Sequence, residues 1–111
     1  MTVEQSEVVD FASVDRLGNA VLTISDHLAW DDVDKHLFQL QEKLNAYLRF
    51  VESKEIFEKY PSAADQPIIF DIVLNHPVPV EAEWFFVKCR AAIAAAGFSL
   101  RVRQIGEENS N

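Results

Sequence analysis

The sequence predicts an α+β domain: a two-layer sandwich in which two helices cover one face of a mixed four-stranded sheet, in the order β-β-α-β-α-β. Three observations carry this. Short β-type runs alternate with long stripes of helical period. A Gly18-Asn19 turn joins the first two strands as a hairpin. Each later strand is reached through a helix, a crossover that favours parallel, right-handed connection. The 111 residues suit one domain, 1–111, able to bury roughly two-thirds of its unfolded surface. Residues 1–6 and 106–111 are polar and expected to fray.

Val8 to Val14 reads as the first strand, and Asp15-Arg16-Leu17-Gly18-Asn19 as the turn, where Gly18 and Asn19 tolerate positive φ. Ala20 to Ser25 is the second strand. Asp31 or Asp32 then caps a long helix, its carboxylate facing free backbone N–H groups. Val33, Leu37, Leu40, Leu44, Tyr47, Leu48 and Val51 recur at spacings of three and four, so one face of that helix is buried. Glu52-Ser53-Lys54 weakens the stripe, Ile56, Phe57 and Tyr60 continue it for a further turn, and Pro61 stops it.

After the loop Ser62 to Gln66, Pro67 to Leu74 is the strongest strand signal in the chain, ended by Asn75-His76-Pro77. Pro79 fits the first turn of a second helix, where a missing N–H costs nothing. Ala82, Phe85, Phe86, Cys89, Ile93 and Ala96 form its inward stripe, and Gly97 its C-terminal cap. Phe98 to Ile105 alternates, with Phe98, Leu100 and Val102 on one side and Ser99, Arg101 and Arg103 on the other. Asp10, Thr23, Asp71, Ser99, Arg101 and Arg103 are expected on the open sheet face with Val8, Val21, Ile69 and Val73. There the acids and arginines offset each other as surface pairs of small individual worth.

The run from Val21 through Asp26-His27-Leu28-Ala29-Trp30 to Asp31, continued from Gln41 to Ser53, resembles a family of small bacterial proteins known only as a domain of unknown function. The Asn75-His76-Pro77 turn and the closing Gly97 to Arg103 segment extend the likeness over nearly the whole chain. The family pattern often places a glycine after the serine that ends the long helix, where this chain has Lys54. The resemblance implies a single domain and carries no functional residues with it.

Composition narrows the classes of function. Hydrophobic residues at 49% and charged residues at 25% are those of a globular protein. The net charge of −8, from 18 acidic and 10 basic residues, repels nucleic acid and anionic membrane surfaces and suits a basic protein partner. Cys89 is the single cysteine, so no internal disulfide forms. No apolar run approaches the roughly 18 residues of a membrane span, and Met1 to Glu7 lacks the pattern of a signal peptide. The expected location is the cytoplasm. With three glycines, at 18, 97 and 106, no phosphate-cradling loop, dinucleotide fingerprint or nucleophile elbow is present, and no cofactor is implied.

Two constellations remain. Asp26 and His27, with Trp30 close by, and Asn75 and His76 sit just past the ends of two strands that meet on one sheet edge if they are parallel. Two imidazoles with a carboxylate there could bind a divalent metal or run acid–base chemistry, in a small-ligand or enzyme site. The same residue types also end strands and cap helices for local reasons, and no metal-ligand spacing accompanies them. His36 reads as a satisfied or solvent-facing helix residue, and Cys89 as a small buried hydrophobe.

The second constellation is Trp84, Val87, Ala91 and Ala95, opposite the inward stripe of the second helix, with Phe38 pointing away from the long helix's buried face. Such a surface is either covered by the tail or the Ser62 to Gln66 loop, or is an interface with a second copy of the chain. A non-enzymatic interaction module, in one form an immunity-like or antitoxin-like inhibitor of a basic protein, is the first reading. A small-ligand binder or enzyme at the strand ends is the alternative.

Overall fold

A computed structural model describes residues 11–59, 61 and 66–105. The first strand β1 (Phe11–Val14) pairs antiparallel with β2 (Ala20–Asp26). The chain continues into α1 (Val33–Glu52), α2 (Glu55–Lys59), β3 (Ile68–Leu74), a 3-10 turn (Val80–Ala82), α3 (Glu83–Ala95) and β4 (Ser99–Gln104). The α+β class holds. β2, β3 and β4 are parallel, and the strands lie in the order β1-β2-β3-β4. Val8, Asp10, Tyr60, most of the Ser62 to Gln66 loop and both expected frayed ends fall outside the described residues.

Strand alternation sorts the two faces. Leu22 and Ile24 of β2, Phe70 and Ile72 of β3 and Leu100 of β4 join the buried residues of α1, α2 and α3 in one core. Thr23, Asp71, Arg101 and Arg103 are on the other face, as alternation expects. The surface-pair reading of the acid is corrected, however, because Asp71 is only 1% exposed. It sits opposite Arg101 in the register, accepts hydrogen bonds from Arg101 Nη2 at 3.2 Å and Arg103 Nη2 at 3.0 Å, and lies under both side chains.

The α1 stripe is rotated from its expected position. His36, Lys43 and Phe50 are buried beside Leu37, Leu40, Leu44, Tyr47 and Val51, while Val33 and Leu48 are only partly covered. Lys43 is fully buried, its Nζ 5.5 Å from the centre of the Tyr47 ring. Apolar spacing alone misplaces the stripe because a polar residue with a buried partner occupies a core position as an apolar one would.

The ends follow local rules. Asp32, rather than Asp31, is the N-cap of α1, its Oδ1 accepting from Lys35 N at 3.1 Å. In the hairpin Gly18 takes φ +87° while Asn19 does not adopt positive φ. Asp15 holds that turn through both Leu17 N and Asn19 N, and the Asn19 N–H keeps its carboxyl below the ordinary value. Pro79 precedes a 3-10 turn rather than opening α3 directly. Gly97, at φ +94°, closes α3 with Phe98 N donating to Ile93 O at 3.0 Å.

Three helices replace the expected two because the chain breaks at Lys54, which takes φ +69°. A side chain there meets its own backbone, a strain of about 1–2 kcal/mol. Lys54→Gly should therefore raise stability by about 0.5–1 kcal/mol after allowing for glycine's greater freedom when unfolded. A thermal melt checks this, and an unchanged or lower midpoint would show that the left-handed cost is already relieved.

Candidate functional site

The parallel register aligns Asp26, at the end of β2, with Leu74, at the end of β3, so the two following turns share one sheet edge. They are tied through main chain. Asn75 N donates to Asp26 O at 3.0 Å, and the Trp30 indole N–H reaches His76 O at 3.4 Å. The two strand-end segments thus converge, tied by these main-chain contacts. His27 and Asn75 are exposed and His76 is half-buried.

The buried imidazole at this edge is that of His36. Its Nε2 hydrogen-bonds Asp26 Oδ2, and both side chains are essentially removed from solvent. Asp26 Oδ1 also accepts from Leu28 N at 3.1 Å, so each carboxylate oxygen is satisfied. The Trp30 ring stacks on His36 with centroids 3.7 Å apart and planes 18° from parallel, and its edge faces Phe86 at 6.4 Å. The remaining ring nitrogen, His36 Nδ1, is buried with no hydrogen-bond partner.

These contacts have a local origin. Asp32 caps α1 and thereby sets its phase, so that His36, one turn later, faces inward next to Leu37 and Leu40. Asp26 closes β2 on the helix-covered face, like Leu22 and Ile24 before it. The imidazole meeting it there satisfies the carboxylate while its own Nδ1 stays without a partner. In the tautomer that donates Nε2–H to Asp26, Nδ1 keeps a lone pair and can only accept a proton or hydrogen bond. Among the described residues no hydroxyl or thiol bonds to it. Among the same residues no three His, Cys, Asp or Glu side chains converge as a metal ion needs.

Sequence reasoning assigned His36 to a satisfied or solvent-facing position and so missed its link to Asp26. The available signal was its place in the helix: His36, Leu40, Lys43 and Tyr47 repeat at the same three- and four-residue spacing as the apolar stripe.

A second feature lies between α1 and α3. A groove of about 300 Å³ has Leu44, Leu48, Phe85 and Ile93 in its floor and walls. Gln41, Asn45, Lys88 and Trp84 stand around it, and Cys89 and Ala92 complete the α3 side. Lys88 Nζ lies 5.8 Å from the centre of the Trp84 ring. Burial pushes the Cys89 thiol up to about 11, which keeps it protonated and a weak nucleophile. Trp84 is 55% exposed, Val87 64% and Phe38 60%, and Ala91 and Ala95 are exposed beside them. Trp84 packs edge-on to Phe85, which packs edge-on to Phe86, so an aromatic series runs from the groove to Trp30.

A small α+β domain with a buried Asp–His pair at one sheet edge and an apolar groove between two helices is the class these features define. The chain belongs to the DUF6572 family, a family of unknown function, whose model matches residues 1–106. No curated protein and no solved structure gave a significant match. Among the described residues no helix is long and apolar enough to cross a membrane.

Proposed function

We propose that this chain is a non-enzymatic interaction module that pairs with a second copy of itself through the outer face of α3. The observation that carries this reading is the exposure of the large apolar side chains Trp84 and Val87 on α3, with Phe38 also exposed on α1. Ala91 and Ala95 continue the α3 face with side chains small enough for another helix to approach closely. Charge supports the same partner. The chain as a whole carries −8, yet α3 holds Lys88 and Arg90 against Glu83, so two copies can meet there without the repulsion the rest of the surface imposes. The non-enzymatic part rests on the Asp26–His36 pair, which is enclosed and touches no nucleophile among the described residues.

One helix face with two flanking aromatics is a small contact, below the roughly 1,200 Å² of standard interfaces, so the association is weak and concentration-dependent. Light scattering should give a mass rising from 12.6 kDa toward twice that value with concentration. Val87→Asp, at an exposed position, should hold the chain at the monomer mass with an unchanged circular dichroism spectrum. A wild-type chain that stays at 12.6 kDa at millimolar concentration would overturn the reading.

A further inference from the structure

We propose that the groove between α1 and α3 binds a small amphipathic carboxylate, a medium-chain acid whose apolar chain lies on Leu44, Leu48, Phe85 and Ile93 and whose head group meets Lys88. The volume of about 300 Å³ is at the lower end of small-molecule sites. It matches a short apolar body rather than a nucleotide or a folded segment. Both walls are helices seated on the same core, with Leu44, Phe85 and Ile93 buried in it, so the floor exists before any ligand arrives.

The head group is chosen by charge. Among the described residues no carboxylate lines the groove, although the chain carries 18 acidic residues. Lys88 is, among the described residues, the single charged group around it and has no acidic partner, only the Trp84 ring beneath its ammonium. Gln41 and Asn45 on the opposite wall offer amide N–H donors suited to a second carboxylate oxygen. Cys89 also lines the groove, and as a protonated thiol it adds polarisable apolar surface rather than a competing negative charge. A cationic head would be repelled by Lys88, and a neutral one would gain no charge-assisted hydrogen bond from it.

Trp84 and Lys88 border both the groove and the proposed self-association face, but Val87, Ala91 and Ala95 do not line the groove, so Val87→Asp separates the two readings. Calorimetric titration with octanoate, octanol and octyltrimethylammonium, each below its micellar concentration, tests it. Octanoate should bind with unit stoichiometry, octanol several-fold more weakly, and the cation most weakly. Each methylene added from hexanoate to octanoate should tighten binding by up to about fourfold. Lys88→Gln should weaken octanoate about tenfold and leave octanol unchanged, while Lys88→Arg should retain octanoate. The Val87→Asp chain should keep the wild-type affinity. Absence of octanoate binding, equal affinity for octanoate and octanol, or indifference to Lys88→Gln would each overturn the assignment. Loss of octanoate binding in Val87→Asp would do so too, by showing that the heat belongs to association of the chain.

Discussion

His36→Ala should destabilise the domain by about 3–5 kcal/mol, a large share of the 5–15 kcal/mol typical of a single domain. The imidazole Nε2 hydrogen-bonds Asp26 Oδ2 in a buried place, and the two side chains are 2% and 0% exposed. Without it the carboxylate keeps only the Leu28 N–H, and a void opens beneath the Trp30 ring. Urea unfolding at pH 7 should show the lost stability directly, and Trp30 emission should shift to the red as its stacking surface disappears. A loss under about 1 kcal/mol would mean that water replaces the imidazole at no penalty, so that the pair does not hold this edge together. The double variant Asp26→Asn/His36→Leu should cost less than the two single changes summed, by more than about 1 kcal/mol, because each single change strands the other partner.

Acid should weaken the protein through Asp71, and Arg103→Met should move that weakening toward neutral pH. Burial by itself would raise the Asp71 carboxyl, but the guanidinium groups of Arg103 and Arg101 donate to it and their charge adds to the effect. The outcome is a value below the ordinary 3.8. A carboxyl depressed on folding binds fewer protons in the folded state than in the unfolded one. Its stabilisation is therefore fully present above the ordinary value and is lost as pH falls through the folded value. Arg103 contributes most of the contact, with Nε within 3.2 Å of both carboxylate oxygens and Nη2 at 3.0 Å from one.

Since the two arginines are about half exposed, solvent screens part of their effect, and Arg103→Met should cost about 1–2 kcal/mol at pH 7. Denaturant midpoints measured from pH 7 down to pH 2 should show that difference shrinking to nothing at the acid end. A difference that persists at pH 2 would assign it to lost packing of the arginine stem instead. Asp71→Asn should flatten the wild-type pH profile below pH 4, since the titrating group itself is gone.

Much of the architecture was legible because it rests on short-range rules. The alternation of β4, the β-branched run of β3, the Asp cap of α1 and Gly97 after α3 each act within a few residues. The break at Lys54 was legible as a weak point in the stripe but not as a left-handed residue, because lysine carries no propensity for positive φ and takes it only where the packing of α1 and α2 requires it. The candidate site was legible by half. Asp26, Trp30 and the Asn75-His76 turn do meet at one edge, yet the imidazole that joins them is His36, ten residues along the chain from Asp26. Patterns of residue type place side chains on faces, but they do not say which two polar groups on facing elements will touch.

The Val21 to Tyr60 segment determines by its own chemistry that a strand is followed by a capped, one-sided helix, since alternation, capping and three-four spacing are properties of consecutive residues. The tertiary structure alone decided that Asp26 and His36 pair, that Lys43 and Asp71 are buried, and that an acid-free groove forms beside Lys88. Each of those depends on distances between elements remote in the chain. A buried polar residue is tolerated only where another element supplies its partner, so its place cannot be read until the fold has brought the two together.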